Sequence, residues 1–164
     1  MGKIYSYFSY PSSYEYILRI IEITAPFLAA SYTAFYSLSD KKYTKSLKEF
    51  MAIGIIPLSF LAALRHFFFF GKAKFFELDG VGANLGLGVA GIVALCKNSS
   101  NETLGAIFIA SAVYMIINII SWILYRKNSS EKYFMVGSSV AVTALTIYFA
   151  YIAYHEKTDF DQDF

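Results

Sequence analysis

The 164 residues are 57% hydrophobic and 19% aromatic against only 16% charged, with a mean hydropathy of +0.48; a soluble domain carries nearer ~25% charged residues and could not hide so much apolar surface. A net charge of +2, spread along the chain, excludes the clustered basic face of a nucleic-acid binder. The one cysteine, Cys96, excludes an intrachain disulfide and a multi-thiolate metal site.

The first fifteen residues are rich in Tyr and Ser and lack the features of a cleavable signal peptide, so the first apolar run is expected to stay in the membrane. The start, MGKIYS, matches a myristoylation pattern, but an acyl chain adds little to a chain that already spans a bilayer. Five apolar runs follow: Tyr16 to Leu38, Phe50 to Phe70, Leu78 to Cys96, Thr103 to Tyr125 and Tyr133 to Tyr154. Each is close to or above the ~20 residues that cross ~30 Å of hydrocarbon. The expected architecture is therefore an all-α integral membrane bundle of five transmembrane helices in a single domain. Four spans plus a re-entrant glycine-rich segment is the alternative.

In the first run, Arg19 and Glu22 lie three apart on one helical face, close enough to pair near the headgroups. Pro26 removes the N–H that would bond the Glu22 carbonyl and predicts a kink. Ser12 with Glu15, and Ser46 with Glu49 before the second run, have the Ser-x-x-Glu spacing of capping boxes. Pro57, after Gly54, predicts a second kink, and Arg65 and His66 near the end of that run fit a snorkelling cation under an aromatic belt, Phe67 to Phe70.

The third run opens as DGVGANLGLGVAGIVAL, Asp79 to Leu95, and contains a formal GxGxxG at Gly86, Gly88 and Gly91. A dinucleotide loop would follow a strand and open an amphipathic helix. Here the glycines sit inside an unbroken apolar run, so the nucleotide reading is discarded. Gly82, Gly86, Ala90 and Ala94 instead recur every fourth residue, a small-xxx-small stripe that lets a neighbouring helix approach closely and predicts a central position for this helix. Asn84, Gly88 and Gly91 line an adjacent strip. Asn84 and, in the fourth run, Asn118 are expected to hydrogen-bond between helices. Asn101 and Asn128 are candidate caps of the fourth and fifth helices. Glu77 with Asp79 is too sparse a set for a metal site.

Lysines and arginines outside the runs divide evenly between the two sides. Adding Arg19 and Arg65 to the nearer ends leaves a lean to a cytoplasmic N-terminus. The sequons at Asn98, Asn101 and Asn128 fall on both faces and do not decide it. The stretch from Arg65 to Val93, RHFFFFGKAKFFELDGVGANLGLGVAGIV, resembles the signature of an uncharacterised family of small polytopic bacterial and archaeal membrane proteins. The likeness rests on His66, Glu77 or Asp79, Ala83, Asn84, Leu85, Gly88 and Gly91. The chain lacks that family's Ile-Gly-Trp and Ser-Pro-Phe motifs and its second histidine. The resemblance implies a multi-helix membrane fold and no particular activity.

No catalytic constellation is recognisable in the sequence. The leading expectation is a non-catalytic accessory or structural subunit of a membrane assembly, whose partners are the bilayer and other membrane subunits or a second copy. No cofactor is expected on this reading. The alternative is a polar path through Glu22, Arg65, His66 and Asn84, serving proton, ion or small-molecule transport or a quinone-linked redox role.

Overall fold

The computed structural model describes the backbone of residues 13–68, 76–125 and 130–155, and within them all side chains save those of 13–19, 22–23, 65–68, 76–79, 125 and 130–131. Every regular element among the described residues is helical. Helix α1 covers Ser13–Ser39; α2 (Tyr43–Glu49), a π segment (Phe50–Ile55) and α3 (Ile56–Phe68) form one continuous rod; α4 covers Phe76–Cys96, α5 Asn101–Tyr125 and α6 Ser130–His155. Among the described residues three stretches are long and apolar enough to cross a membrane, Tyr43–Leu64, Asn101–Leu124 and Lys132–His155, and a shorter apolar helix runs over Gly80–Cys96.

Pro57 explains the π segment. With no N–H, it cannot bond the carbonyl four residues back, and its ring crowds that carbonyl. The helix responds by widening one turn, and the Ile56 N–H reaches back five residues to the Met51 carbonyl. Helix α1, by contrast, runs unbroken through a buried Pro26.

The rod Tyr43–Phe68 is the axis of the bundle, in contact with α1, α4, α5 and α6; the widest helix pairings are α5 with α6 and the rod with α1 and with α4. The expectation that the glycine-rich helix lies centrally is corrected: α4 is peripheral, with Leu85, Val89, Ile92 and Val93 on an exposed side. Phe50, the first residue of the π segment, stacks on Phe149 of α6 at 4.2 Å between ring centroids and meets Phe108 of α5 edge-on at 5.6 Å. All three rings are enclosed, and Leu47, Met51, Ile55 and Leu104 complete this core.

Close helix contact is made where a glycine removes a Cβ. A methyl group at Gly54 would lie 2.9 Å from Ala30 Cβ on α1, one at Gly91 would lie 2.8 Å from Ile56 Cγ1, one at Gly88 would strike the Phe60 ring at 2.9 Å, and one at Gly105 would lie 3.0 Å from Ala153 Cβ. Among the described residues nothing lies within 4 Å of such a methyl at Gly82 or Gly86. The inner strip of α4 is thus Asn84, Gly88 and Gly91, the two glycines meeting the rod, and of the four-residue stripe only Ala94 is buried. Helical geometry accounts for the difference. A four-residue repeat advances about 40° per step around a helix of 3.6 residues per turn, so Gly82 to Ala94 sweeps from the outward side toward the inward one.

The helix ends near Asp40 carry two matching caps. Lys41 and Asn98 both adopt left-handed backbone conformations, φ 59° and 50°. Lys42 N–H bonds Ser37 O while Lys41 N–H bonds Leu38 O, and Ser99 N–H bonds Ala94 O while Asn98 N–H bonds Leu95 O, the paired bonds of a Schellman motif. These turns direct α2 back along α1, and α5 back from α4.

Gly54→Ala is expected to destabilise the bundle by about 1–3 kcal/mol, because the Ala30 methyl it meets is fixed to backbone and one helix must move. Gly86→Ala is expected to cost nothing. Denaturant-induced unfolding in detergent measures both, and equal losses would refute the assignment of contact faces.

Candidate functional site

Of the polar path expected from the sequence, the side chains of Glu22, Arg65 and His66 lie outside the described residues, as do those of Arg19, Glu77, Asp79 and Asn128. Asn84 is buried on the inner face of α4. Its amide nitrogen donates to Gly80 O at 2.7 Å and to Tyr114 Oη on α5 at 2.8 Å. Asn84 is therefore an interhelical tie, as expected of it, and its partner Tyr114 carried no signal in the sequence. Asn118 is half-buried on α5. The void lined by Phe27, Phe50, Gly54, Ile55, Leu58 and Val142 measures about 10 Å³, at the lower limit of what a single water needs.

Polar side chains gather instead at the Asp40 end, where α1 turns into α2 and α4 into α5. Ser46 is fully buried, and its Oγ donates to Ala34 O of α1 at 2.7 Å. Ser37 Oγ, equally enclosed, donates to Glu49 Oε2 at 2.6 Å. Lys45 Nζ lies 3.7 Å from Glu49 Oε1 one turn earlier, and Lys48 Nζ donates to Asn98 Oδ1 across the α4–α5 turn. Buried Asn101 donates from Nδ2 to Thr44 Oγ1 at 3.2 Å, while its Oδ1 has no partner among the described residues.

This cluster corrects two capping assignments. The rod starts at Tyr43, three residues before Ser46, and no side chain caps it. Ser46 and Glu49 are not a capping box but the two points at which the rod is fastened to α1. Helix α5 is capped by Ser100, whose Oγ accepts from the Thr103 N–H at 3.3 Å, and not by Asn101, which is turned inward. The box Ser12 with Glu15 lies outside the described side chains.

Between the outer turns of the rod and the last turn of α4 lies a groove of about 620 Å³ lined by Thr44, Lys45, Lys48, Glu49, Ala52, Ile53 and Leu95. Its lining runs from charged to apolar along one face of the rod. Among the described residues no three His, Cys, Asp or Glu side chains come together as a metal site.

The second notable surface is the outward side of α4, where exposed Gly82, Gly86 and Ala90 form a shallow trough beside Leu85, Val89 and Val93. It is apolar, and among the described residues nothing lies within 4 Å of a methyl group built at Gly82 or Gly86.

Glu49→Ala is expected to destabilise the fold by roughly 1.5–3 kcal/mol, the range for hydrogen bonds to charged groups, and Glu49→Gln to recover most of the loss through its remaining carbonyl oxygen. A double-mutant cycle with Ser37→Ala checks the assignment; zero coupling energy would remove the Ser37–Glu49 tie from the account.

The chain matches no known family model, no curated protein and no solved structure, so the likeness of Arg65 to Val93 assigns no family and the functional reading rests on the geometry alone.

Proposed function

We infer that the chain is an integral membrane protein whose helices span the bilayer as a five-helix bundle, and that it serves as a non-catalytic structural or accessory subunit docking through the outward side of α4. The observation that carries the membrane part is the sorting of side chains by size. Around the aromatic core of Phe50, Phe108 and Phe149, more than half of the buried positions are Ala, Gly, Ser or Thr, among them Ala30, Ala34, Ala62, Ala63, Ala94, Ala112, Ala150 and Ala153, whereas Leu28, Ile116, Ile117, Ile120, Ile123, Leu124 and Ile147 face outward. In water that distribution would be strongly unfavourable, because burial of large apolar side chains is the main stabilising term. In lipid there is no such term, and helices associate through close approach of small residues and interhelical hydrogen bonds.

The docking part is supported by the trough on α4. A helix surface that is already small and apolar loses little side-chain entropy when a second helix settles on it, and admits close backbone approach. A transport or quinone-linked role draws less support. The interior void beside the π segment is scarcely water-sized, and both amide hydrogens of Asn84 are engaged within the fold.

Extraction into polymer-bounded discs should recover a species larger than the 18.4 kDa chain. The double variant Gly82→Leu with Gly86→Leu should reduce it to a single chain without lowering its unfolding temperature, whereas Ile117→Ala on α5 should leave the assembly intact. Recovery of the native chain as a lone, monodisperse species would sink the subunit reading.

A further inference from the structure

We propose that the groove between the rod and the last turn of α4 binds the phosphate headgroup of an anionic phospholipid, with an acyl chain of the same lipid continuing along its apolar floor. The proposal rests on the membrane reading above and adds a ligand to it.

The lining residues on the rod fall into three successive pairs, Thr44 with Lys45, Lys48 with Glu49, and Ala52 with Ile53, each one turn deeper than the last. Two turns cover about 11–12 Å along the axis. Over that distance the surface passes from two ammonium groups, a hydroxyl and a carboxylate to methyl and methylene groups only, and Leu95 of α4 closes the apolar end. A single phospholipid presents the same sequence of chemistry over the same distance, whereas a free anion would match only the outer half of the groove.

The charges fit a phosphate diester. Glu49 is satisfied from within the protein by Ser37 Oγ and by Lys45, and so repels an incoming anion less than a free carboxylate would. Lys48 is held by a neutral acceptor, Asn98 Oδ1, so its charge is oriented but not cancelled, and two of its three N–H donors are left for a ligand. Lys45, Lys48 and Glu49 together leave one net positive charge on the groove, matching the single negative charge of a phosphodiester. Lys41 and Lys97 at the same end add to the local potential, while Lys42 is offset by Asp40, whose Oδ2 it meets at 3.2 Å. The π segment contributes Ala52 and Ile53, so the widened turn forms the floor on which the acyl chain would lie.

The test is native mass spectrometry of the full chain in detergent with added phosphatidylglycerol or phosphatidylcholine of identical acyl chains. One phosphatidylglycerol should be retained at least tenfold more tightly than phosphatidylcholine. Lys45→Gln with Lys48→Gln should abolish that preference. Lys41→Gln with Lys97→Gln removes the same charge from the same end outside the groove and should change it less than twofold. Ala52→Phe, at an exposed position, should weaken retention of both lipids by filling the floor while leaving the unfolding temperature unchanged. Equal retention of the two lipids, or equal loss in both lysine pairs, would overturn the proposal. Displacement of the lipid by millimolar inorganic phosphate would make the site one for free phosphate. The last ten residues, HEKTDFDQDF, carry four acidic side chains; retention only in a chain carrying Asp159→Asn, Asp161→Asn and Asp163→Asn would make that segment, not a lipid, the occupant of the groove and overturn the proposal. Partition of the native chain into the aqueous phase would instead refute the membrane reading itself, an outcome separate from loss of lipid selectivity in a chain that stays in the membrane.

Discussion

The arrangement of the bundle follows from one missing hydrogen. Because Pro57 has no N–H, the turn before it opens to a π turn, and that turn carries Phe50 at its start and Gly54 near its end. Phe50 lies face to face with Phe149 and edge-on to Phe108, fastening the rod to α6 and α5, while Gly54 lets the rod settle against Ala30 of α1. One irregular turn thus orients the rod toward three neighbours at once. A regular helix through the same residues would rotate these contact groups relative to one another, since each residue inserted into a helix turns everything beyond it by about 100°. Aromatic pairs at such distances contribute about 0.5–1.5 kcal/mol beyond their area. In the lipid setting proposed for the chain, where area alone would contribute little, their geometry would matter correspondingly more.

Much of the helical layout was legible in the sequence because the helices are long and their breaks short. The fourth and fifth apolar runs lie within α5 and α6, and the ends of each agree to within about three residues. The second run begins seven residues inside its rod, because Tyr43 to Glu49 is polar enough to look like a loop and yet forms the first two turns. Hydropathy registers what lipid would tolerate; it does not register a helix that continues beyond the apolar zone. The site proposed for a headgroup lies in those extra turns, which is why no apolar pattern pointed to it.

The side-chain assignments that failed did so for a common reason: a short spacing motif fits more than one geometry. Ser46 and Glu49 are three apart, as a capping box demands, but three residues is also one helical turn, so the same pair can present both groups to a neighbouring helix. Which of the two occurs depends on where the helix begins, and that is set by the turn at Lys41 and Lys42, a left-handed lysine that propensity does not favour. The glycines of α4 repeat this ambiguity. A four-residue stripe and a strip through Asn84, Gly88 and Gly91 are both present in the sequence, and only the position of Ile56 and Phe60 on the opposing rod selects the second as the inner face.

With its inner face committed to Gly88 and Gly91, α4 leaves Gly82, Gly86 and Ala90 exposed on the side proposed for docking, and its final turn supplies Leu95 to the groove beside Lys48. The two surfaces therefore share one helix. Residues 82 to 95 span thirteen positions, about 20 Å of rise. A partner helix lying along the outward trough would extend toward the lipid that the groove holds, and anything that shifts α4 along the rod would alter both. Such a shift is resisted at three points: the Gly91 contact with Ile56, the Asn84 bond to Tyr114, and the Lys48 bond to Asn98 at the turn where α4 ends. The last of these uses one of the lysines proposed to hold the phosphate, so lipid occupancy and the position of α4 are linked through a single ammonium group. A lipid bound as proposed would therefore act on the proposed docking surface as well, by restraining the end of the helix on which a partner would rest.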